Sequence, residues 1–160
     1  MPVRSLKDAV LTITDGVTAS IIVTLDNGDL SWTESQPINV ISDRGVLDHA
    51  RKANEVPVTV SFSAQFAGSV AGNSDSATVS LYEMLTKTGD ASGYTSDEPN
   101  SDTWAMVLGF AITDPDTGTA ANETITFPRW HCEELTITEG DPSDTIAASG
   151  QAMVTAPTIT

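Results

Sequence analysis

The residues best equipped for chemistry stand in one run, His131-Cys132-Glu133-Glu134. Imidazole, thiolate and carboxylate are all metal ligands, but structural zinc needs four donors, typically in paired spacings. Neighbouring residues of a strand point to opposite faces, so His131 and Cys132 cannot easily grip one ion. The run reads as a packed or surface strand. As a nucleophile, Cys132 needs a base and an oxyanion hole. The other histidine, His49, lies in a distant basic segment, and no spacing brings the two together. Asp114-Pro115-Asp116-Thr117-Gly118 opens like a calcium loop, with Asp114 and Asp116 as carboxylate donors. The full loop wants a third oxygen residue and a terminal bidentate Glu, and Glu123 sits too close to supply it. Asp, Pro and Gly are also the ordinary residues of hairpin turns. Asn122-Glu123-Thr124 has the spacing of a glycosylation acceptor, which has meaning only in a secreted chain. The start, Met1-Pro2-Val3-Arg4, leads into polar sequence and not into an apolar signal region. No phosphate-binding glycine loop and no Ser-His-Asp spacing is present. The expectation is a non-enzyme with no catalytic residue, metal or cofactor.

Trp32, Trp104 and Trp130 could stack sugars or bases, but on alternating strands they are more often core or interface anchors. The single cysteine excludes an internal disulfide. No apolar stretch approaches the ~20 residues of a membrane-spanning helix. A length of 160 residues suits one domain, 1–160, with a sizeable core.

Charge is the strongest bulk signal: 22 acids face 7 bases, a net charge of −15. The imbalance is uneven. Residues 1–87 hold 10 acids and 6 bases, whereas residues 88–144 hold 12 acids and Arg129 alone. Such a surface repels nucleic acid, which needs Lys and Arg to displace condensed counterions, and disfavours anionic membranes. Three of the seven bases, Arg44, Arg51 and Lys52, fall in one early segment beside His49 and Glu55. A basic segment on an anionic protein suits another copy of the same chain, and heterologous contacts of that kind build rings and filaments.

The elements that must carry these residues read mostly with period two. Val58-Thr59-Val60-Ser61-Phe62-Ser63-Ala64-Gln65-Phe66 alternates apolar and small polar residues, the pattern of a half-buried strand. Residues 104–112 put large side chains on one face and small ones on the other. Further strands are predicted at 10–14, 19–25, 30–34, 124–127, 135–138 and 146–154. Asn27-Gly28 predicts a hairpin joining 19–25 to 30–34, and Pro128 predicts a strand end, edge or bulge. Residues 76–87 break the rhythm, with Thr78, Leu81, Tyr82 and Leu85 at helical spacing. They predict a helix of about three turns, capped by Asp75 or Ser76 and closed by Gly89. Residues 35–54 and 89–102 fit no element and read as long loops, which in a compact domain tend to be functional. The fold expected is mainly β: an antiparallel sandwich or barrel of about eight strands, one short helix and a long inter-strand loop.

That order of elements resembles the major tail tube proteins of long-tailed, siphovirus-like bacteriophages. The likeness rests on the paired N-terminal strands, the long loop with Gly45 and Arg51, and the strand Glu55-Val56-Pro57-Val58-Thr59-Val60-Ser61-Phe62-Ser63. A short helix, an acidic loop, Phe127-Pro128-Arg129 and Thr136-Ile137-Thr138 follow in the same order. It implies a virion structural protein, assembled in the host cytoplasm, whose hexameric rings stack into a tube. The barrel would close across subunits around a negatively charged lumen through which DNA passes without specific binding. The loop carrying Arg44, Arg51, Lys52 and Glu55 would then reach the neighbouring ring. Thr59, Ser61, Ser63 and Gln65 would face the lumen or a ring interface, and some of the acids Asp29, Glu34, Glu123 and Glu133 would line the channel. Partners would be the chain itself and the tape measure, terminator and baseplate proteins, with no membrane binding. The competing expectation is an adhesin-like or carbohydrate-binding β-sandwich.

Overall fold

Alternation in the sequence becomes alternation in burial. Along β6 (Val58–Gln65), Val58, Val60, Phe62 and Ala64 are buried while Thr59 and Gln65 are open. Along β9 (Met106–Ile112), Met106, Leu108, Phe110 and Ile112 are buried. The computed structural model describes residues 9–14, 20–23, 30–65, 70–71, 78–92, 104–112, 123–141 and 144–160. The other strands of the main sheet are β1 (Ala9–Thr14), β2 (Ser20–Val23), β3 (Ser31–Thr33), β10 (Glu123–Thr138), β11 (Thr145–Ala152) and β12 (Thr158–Ile159). Their order is β2-β1-β9-β10-β11-β6-β3, antiparallel throughout, with β12 paired to the start of β10.

The sheet curls into a half-barrel around its apolar face. Trp32 on β3 and Phe127 on β10 have ring centroids 5.7 Å apart. Those strands are three places apart, roughly 14 Å in a flat sheet at ~4.8 Å per strand. Phe62 on β6 likewise reaches Trp130 on β10 at 5.9 Å, skipping β11. These rings, with Phe110 edge-on to Phe127 at 6.0 Å, fill the centre of the core.

The long strand β10 makes the curl possible, because two bulges divide it. Residues 123–130 pair with β9, and residues 130–138 pair with β11. The first bulge holds Pro128, which has no N–H for the ladder, and Arg129, whose φ of 53° is left-handed. It shifts the parity, so the buried face passes from Ile125 and Phe127 to Trp130. The second bulge lies between Cys132 and Glu134, where β11 presents Gly150. A Cβ on Gly150 would overlap the His131 carbonyl oxygen and stand 2.8 Å from the His131 carbonyl carbon. Thus 124–127 and 135–138, expected as separate strands, are two arms of one bent strand.

Three local expectations need correction. The strands around Asn27-Gly28 do not pair with each other: β2 pairs with β1, and β3 pairs with β6 at the opposite edge of the sheet. The turn itself lies outside the described residues. The helix, α1 (Leu81–Thr86), is half the length expected and begins at Ser80. Ser80 and Glu83 form a reciprocal capping box: the Glu83 N–H donates to Ser80 Oγ at 3.2 Å, and the Ser80 N–H donates to Glu83 Oε2 at 3.0 Å. Thr78 and Val79, with β-branched side chains, instead form β8 (Thr78–Val79) against β7 (Val70–Ala71). Leu81, Met84 and Leu85 join the core. Residues 35–54, finally, are not an irregular loop but mostly a hairpin.

Candidate self-assembly surfaces

That hairpin joins β4 (Ile38–Asp43) to β5 (Val46–Lys52), a two-stranded sheet separate from the main one. Its turn places Arg44 at φ 49° and Gly45 at φ 83°. Two consecutive positive φ values define the tight turn whose twist matches a hairpin. Gly at the second position meets this without strain, a turn signal that the expectation of an irregular loop left unused. Every residue of both strands is exposed. Among them are Ile38, Val40, Val46 and Leu47, with 61%, 54%, 69% and 77% of their surface open. A two-stranded ribbon is marginal alone, and soluble monomers seldom expose apolar groups so densely. Polar residues share it: Arg44, Arg51 and Lys52 are all exposed, and His49 Nδ1 lies 2.8 Å from Asp48 Oδ2.

The base of the hairpin returns to the body beside an open groove of about 560 Å³ lined by Glu55, Val56, Pro57, Arg129, Met153 and Val154. Glu55 therefore lies at the root of the hairpin and not on it, whereas Arg44 is at its tip and Arg51 and Lys52 are on its second strand. Arg129, which the sequence offered only as an isolated base, joins this end.

The second surface is the outer face of the arm formed by the second half of β10 with β11, β6 and β3. Thr59, Ser61 and Ser63 pair across with Gln151, Ser149 and Ala147. Ser31 Oγ and Ser61 Oγ are 2.8 Å apart. Gln151 Nε2 donates to Glu133 Oε2 at 3.2 Å, which brings the Glu133 carboxylate onto this face. Glu134, missed in the sequence, lines a shallow depression there with Ser61, Ser63 and Thr136. The bulge explains the omission, because it sets both glutamates where strict alternation separates them. Glu34 follows β3 and accepts from Trp32 Nε1 at 3.2 Å. Glu123 opens β10 in the other arm, apart from Glu133. Asp29, Asp114 and Asp116 lie outside the described residues.

His131 and Cys132 part company as alternation requires. His131 pairs with Gln151 in the outer-face register, and Cys132 packs against the core. Burial raises the Cys132 thiol to about 11, and its Sγ–H points to the Glu134 carbonyl at 3.6 Å. A thiol so held is a poor nucleophile at neutral pH. Among the described residues, no three of His, Cys, Asp and Glu gather as a metal site. The tryptophans do not form a patch: Trp130 is fully buried, Trp32 half-buried and Trp104 exposed.

No protein-family model and no curated protein sequence matches this chain. Solved structures do. A chain in the sheath/tube terminator of an extracellular contractile injection system, PVC, in its extended state aligns over 100% of this chain and 97% of its own length, with TM-score 0.63 and 10% identity. A chain of the six-fold symmetrised baseplate of the anti-feeding prophage aligns over 100% and 96%, with TM-score 0.60 and 6% identity. A chain of the tube-terminating cap of that prophage aligns over 100% and 91%, with TM-score 0.56 and 10% identity. The chain shares their fold, the curled tail-tube-like half-barrel. These structures come from contractile injection systems, whereas the sequence pattern pointed to long-tailed phages.

Proposed function

We propose that this chain is a structural subunit of a phage tail or a related injection apparatus, assembling with copies of itself into hexameric rings that stack into a tube. The hairpin of residues 38–52 carries the reading, because it buries neither face within its own chain. In this proposal it extends from one ring to the next. The outer face built from Thr59, Ser61, Ser63, Gln151 and Glu133 lines the channel. Small hydroxyls and carboxylates give a transiting DNA chain little to hold. At ~0.15 M salt the screening length is about 8 Å, so the wall repels DNA only at close range. Terminator, cap, tape measure and baseplate proteins are the partners that begin and end such a tube, and the virion is its final location.

Ring closure also supplies what the sheet edge lacks. The edge strand β3 covers only Thr59 to Ser61 of β6, and Phe62–Gln65 have no further strand partner among the described residues on that side. An open edge invites pairing with another chain. The carbohydrate-binding alternative needs a shared tryptophan platform, which the dispersal of Trp32, Trp104 and Trp130 does not provide. Negative-stain electron microscopy of the purified protein tests the proposal. Six-fold rings or tubes are expected; a protein that stays monomeric at high concentration and in high-magnesium virion buffers overturns it.

A further inference from the structure

The register of the β4–β5 hairpin sorts its side chains. Directly paired residues of an antiparallel ribbon share a face. Ile38 pairs with Lys52, Val40 with Ala50 and Ser42 with Leu47, while Asn39 pairs with Arg51, Ile41 with His49 and Asp43 with Val46. One face thus holds Ile38, Val40, Leu47 and Ala50, and its single charge is Lys52 at the root. The other face holds Asp43, His49 and Arg51. Regular pairing would set Leu47 opposite Asp43, on the charged face. The bulge between Ile41 and Ser42 prevents this. Asp48 becomes the extra residue and turns to His49, 2.8 Å away, and Leu47 joins Val40.

The charges of this end of the molecule cancel. Asp43 and Asp48 stand on the hairpin with Arg44, Arg51 and Lys52, and Glu34, Glu55 and Arg129 stand at its root. Four acids meet four bases, so the net charge of −15 falls wholly on the rest of the chain. Two copies that meet here approach without net repulsion, and each presents both signs to the other.

We infer that the free subunit pairs with a second copy through this apolar face, the two hairpins packing face to face about a two-fold axis. Such a contact is isologous, so one patch serves both partners. A second copy is the occupant that supplies a matching apolar face together with equal numbers of both charges. The pair covers Ile38, Val40 and Leu47, which are 54–77% open in the single chain. Its area is small. Seven residues in β5 at ~3.4 Å each, and two strands at ~4.8 Å, give a face of about 240 Å². A stable interface buries about 800 Å² on each side. The pair therefore forms at high concentration and gives way to larger contacts. It does not depend on the stacking reading, because it is a state of the free subunit in which the bare face of the hairpin is covered.

Crosslinking between like positions tests this. Val40→Cys and Val46→Cys, each combined with Cys132→Ser, are treated with a short bis-maleimide in the unassembled fraction. Both positions are exposed, and circular dichroism checks that each variant folds. About a two-fold axis like meets like, so Val40→Cys is expected to link to its twin through the substituted position about tenfold more than Val46→Cys on the opposite face. Mass spectrometry identifies the link. In a purely head-to-tail contact Val40 meets a different surface, and that link does not form. Analytical ultracentrifugation of the free subunit gives the second measurement. Val40→Asp sets two carboxylates against each other and is expected to weaken the pair about tenfold or more, while Val46→Asp leaves it unchanged. Equal linking at the two positions, or a pair that withstands Val40→Asp, overturns the inference. Rings or tubes from a protein that shows no Val40→Cys link remove the pairing and leave the tube reading standing. Linked pairs from a protein that never forms rings do the reverse.

Discussion

Replacing Gly150 by alanine adds one methyl group at the point where the two arms of the sheet meet. Its Cβ would overlap the carbonyl oxygen of His131, stand 2.8 Å from the carbonyl carbon and 3.1 Å from Cys132 Cα. These are backbone atoms of the bulged strand β10, so no side-chain rotation relieves the clash. Either β11 moves away and lengthens its ladder bonds, or the bulge is lost and Glu133 and Glu134 change place. Overpacking with no escape costs about 3 kcal/mol, the upper part of its usual range. For a chain of this size that lowers Tm by about 6–12 °C. Urea unfolding, followed by Trp fluorescence below the concentration at which copies associate, should show a lower midpoint with an unchanged slope. Gly109→Ala is the internal control. It also lies within a central strand, but its Cβ would meet Thr12 O at 3.9 Å, an ordinary contact. A change within about 0.5 kcal/mol is expected there. Equal effects of the two substitutions would refute the close approach at the bulge.

Other outcomes follow from the same structure. Trp130→Ala, which empties the centre of the core, is expected to cost about 3–5 kcal/mol in chemical denaturation. Ser80→Ala removes the cap of α1 and is expected to cost about 1 kcal/mol. Hydrogen bonds from the Ser80 backbone and side chain hold the Glu83 carboxyl below its ordinary pKa. That contribution is full above the unfolded pKa and is lost as pH falls through the folded one. Ser80→Ala should therefore destabilise less in mild acid than at pH 7, as thermal melts across pH can measure. Cys132, raised to about 11, should react with a thiol reagent at pH 8 far more slowly in the folded protein than in urea. Equal rates would contradict its burial. Because its folded pKa lies above the unfolded value, its contribution to folding is full below the ordinary thiol pKa and is lost as pH rises past it: the unfolded thiol ionises first, and folding then costs a proton uptake. Stability should therefore fall between the unfolded pKa and about 11, and Cys132→Ser should flatten that fall.

How much of this was legible depends on where the partner of each residue sits. β6 and β9 were readable because one face of each meets the core of the same chain, and burial there enforces period two. Pro128 announced its bulge through its missing N–H. The second bulge carries no such residue on β10; its signal is Gly150 on the neighbouring strand, and strand neighbours are not adjacent in sequence. Asn27-Gly28 signals a turn, but a turn does not choose which strands pair, and β2 and β3 end on opposite edges. The hairpin was the least legible element. Its apolar residues, Ile38, Val40, Val46 and Leu47, follow no single buried face, because neither face meets a core within this chain. Arg44-Gly45 was its only local mark. The polar outer face was visible in Thr59, Ser61 and Ser63, but the joining of Glu133 to it needed the bulge and Gln151.

The bareness of the hairpin also bears on timing. Holding β4 and β5 in one geometry costs conformational entropy that the ribbon, with no buried face, recovers only on contact. The first encounters between subunits bear that cost before many contacts exist to offset it, which makes initiation slow and later additions fast. A solution of this protein should thus show a lag that preformed ends abolish. In the tube proposed above, such kinetics would let free subunits wait until a seed that already presents ordered hairpins decides where growth begins.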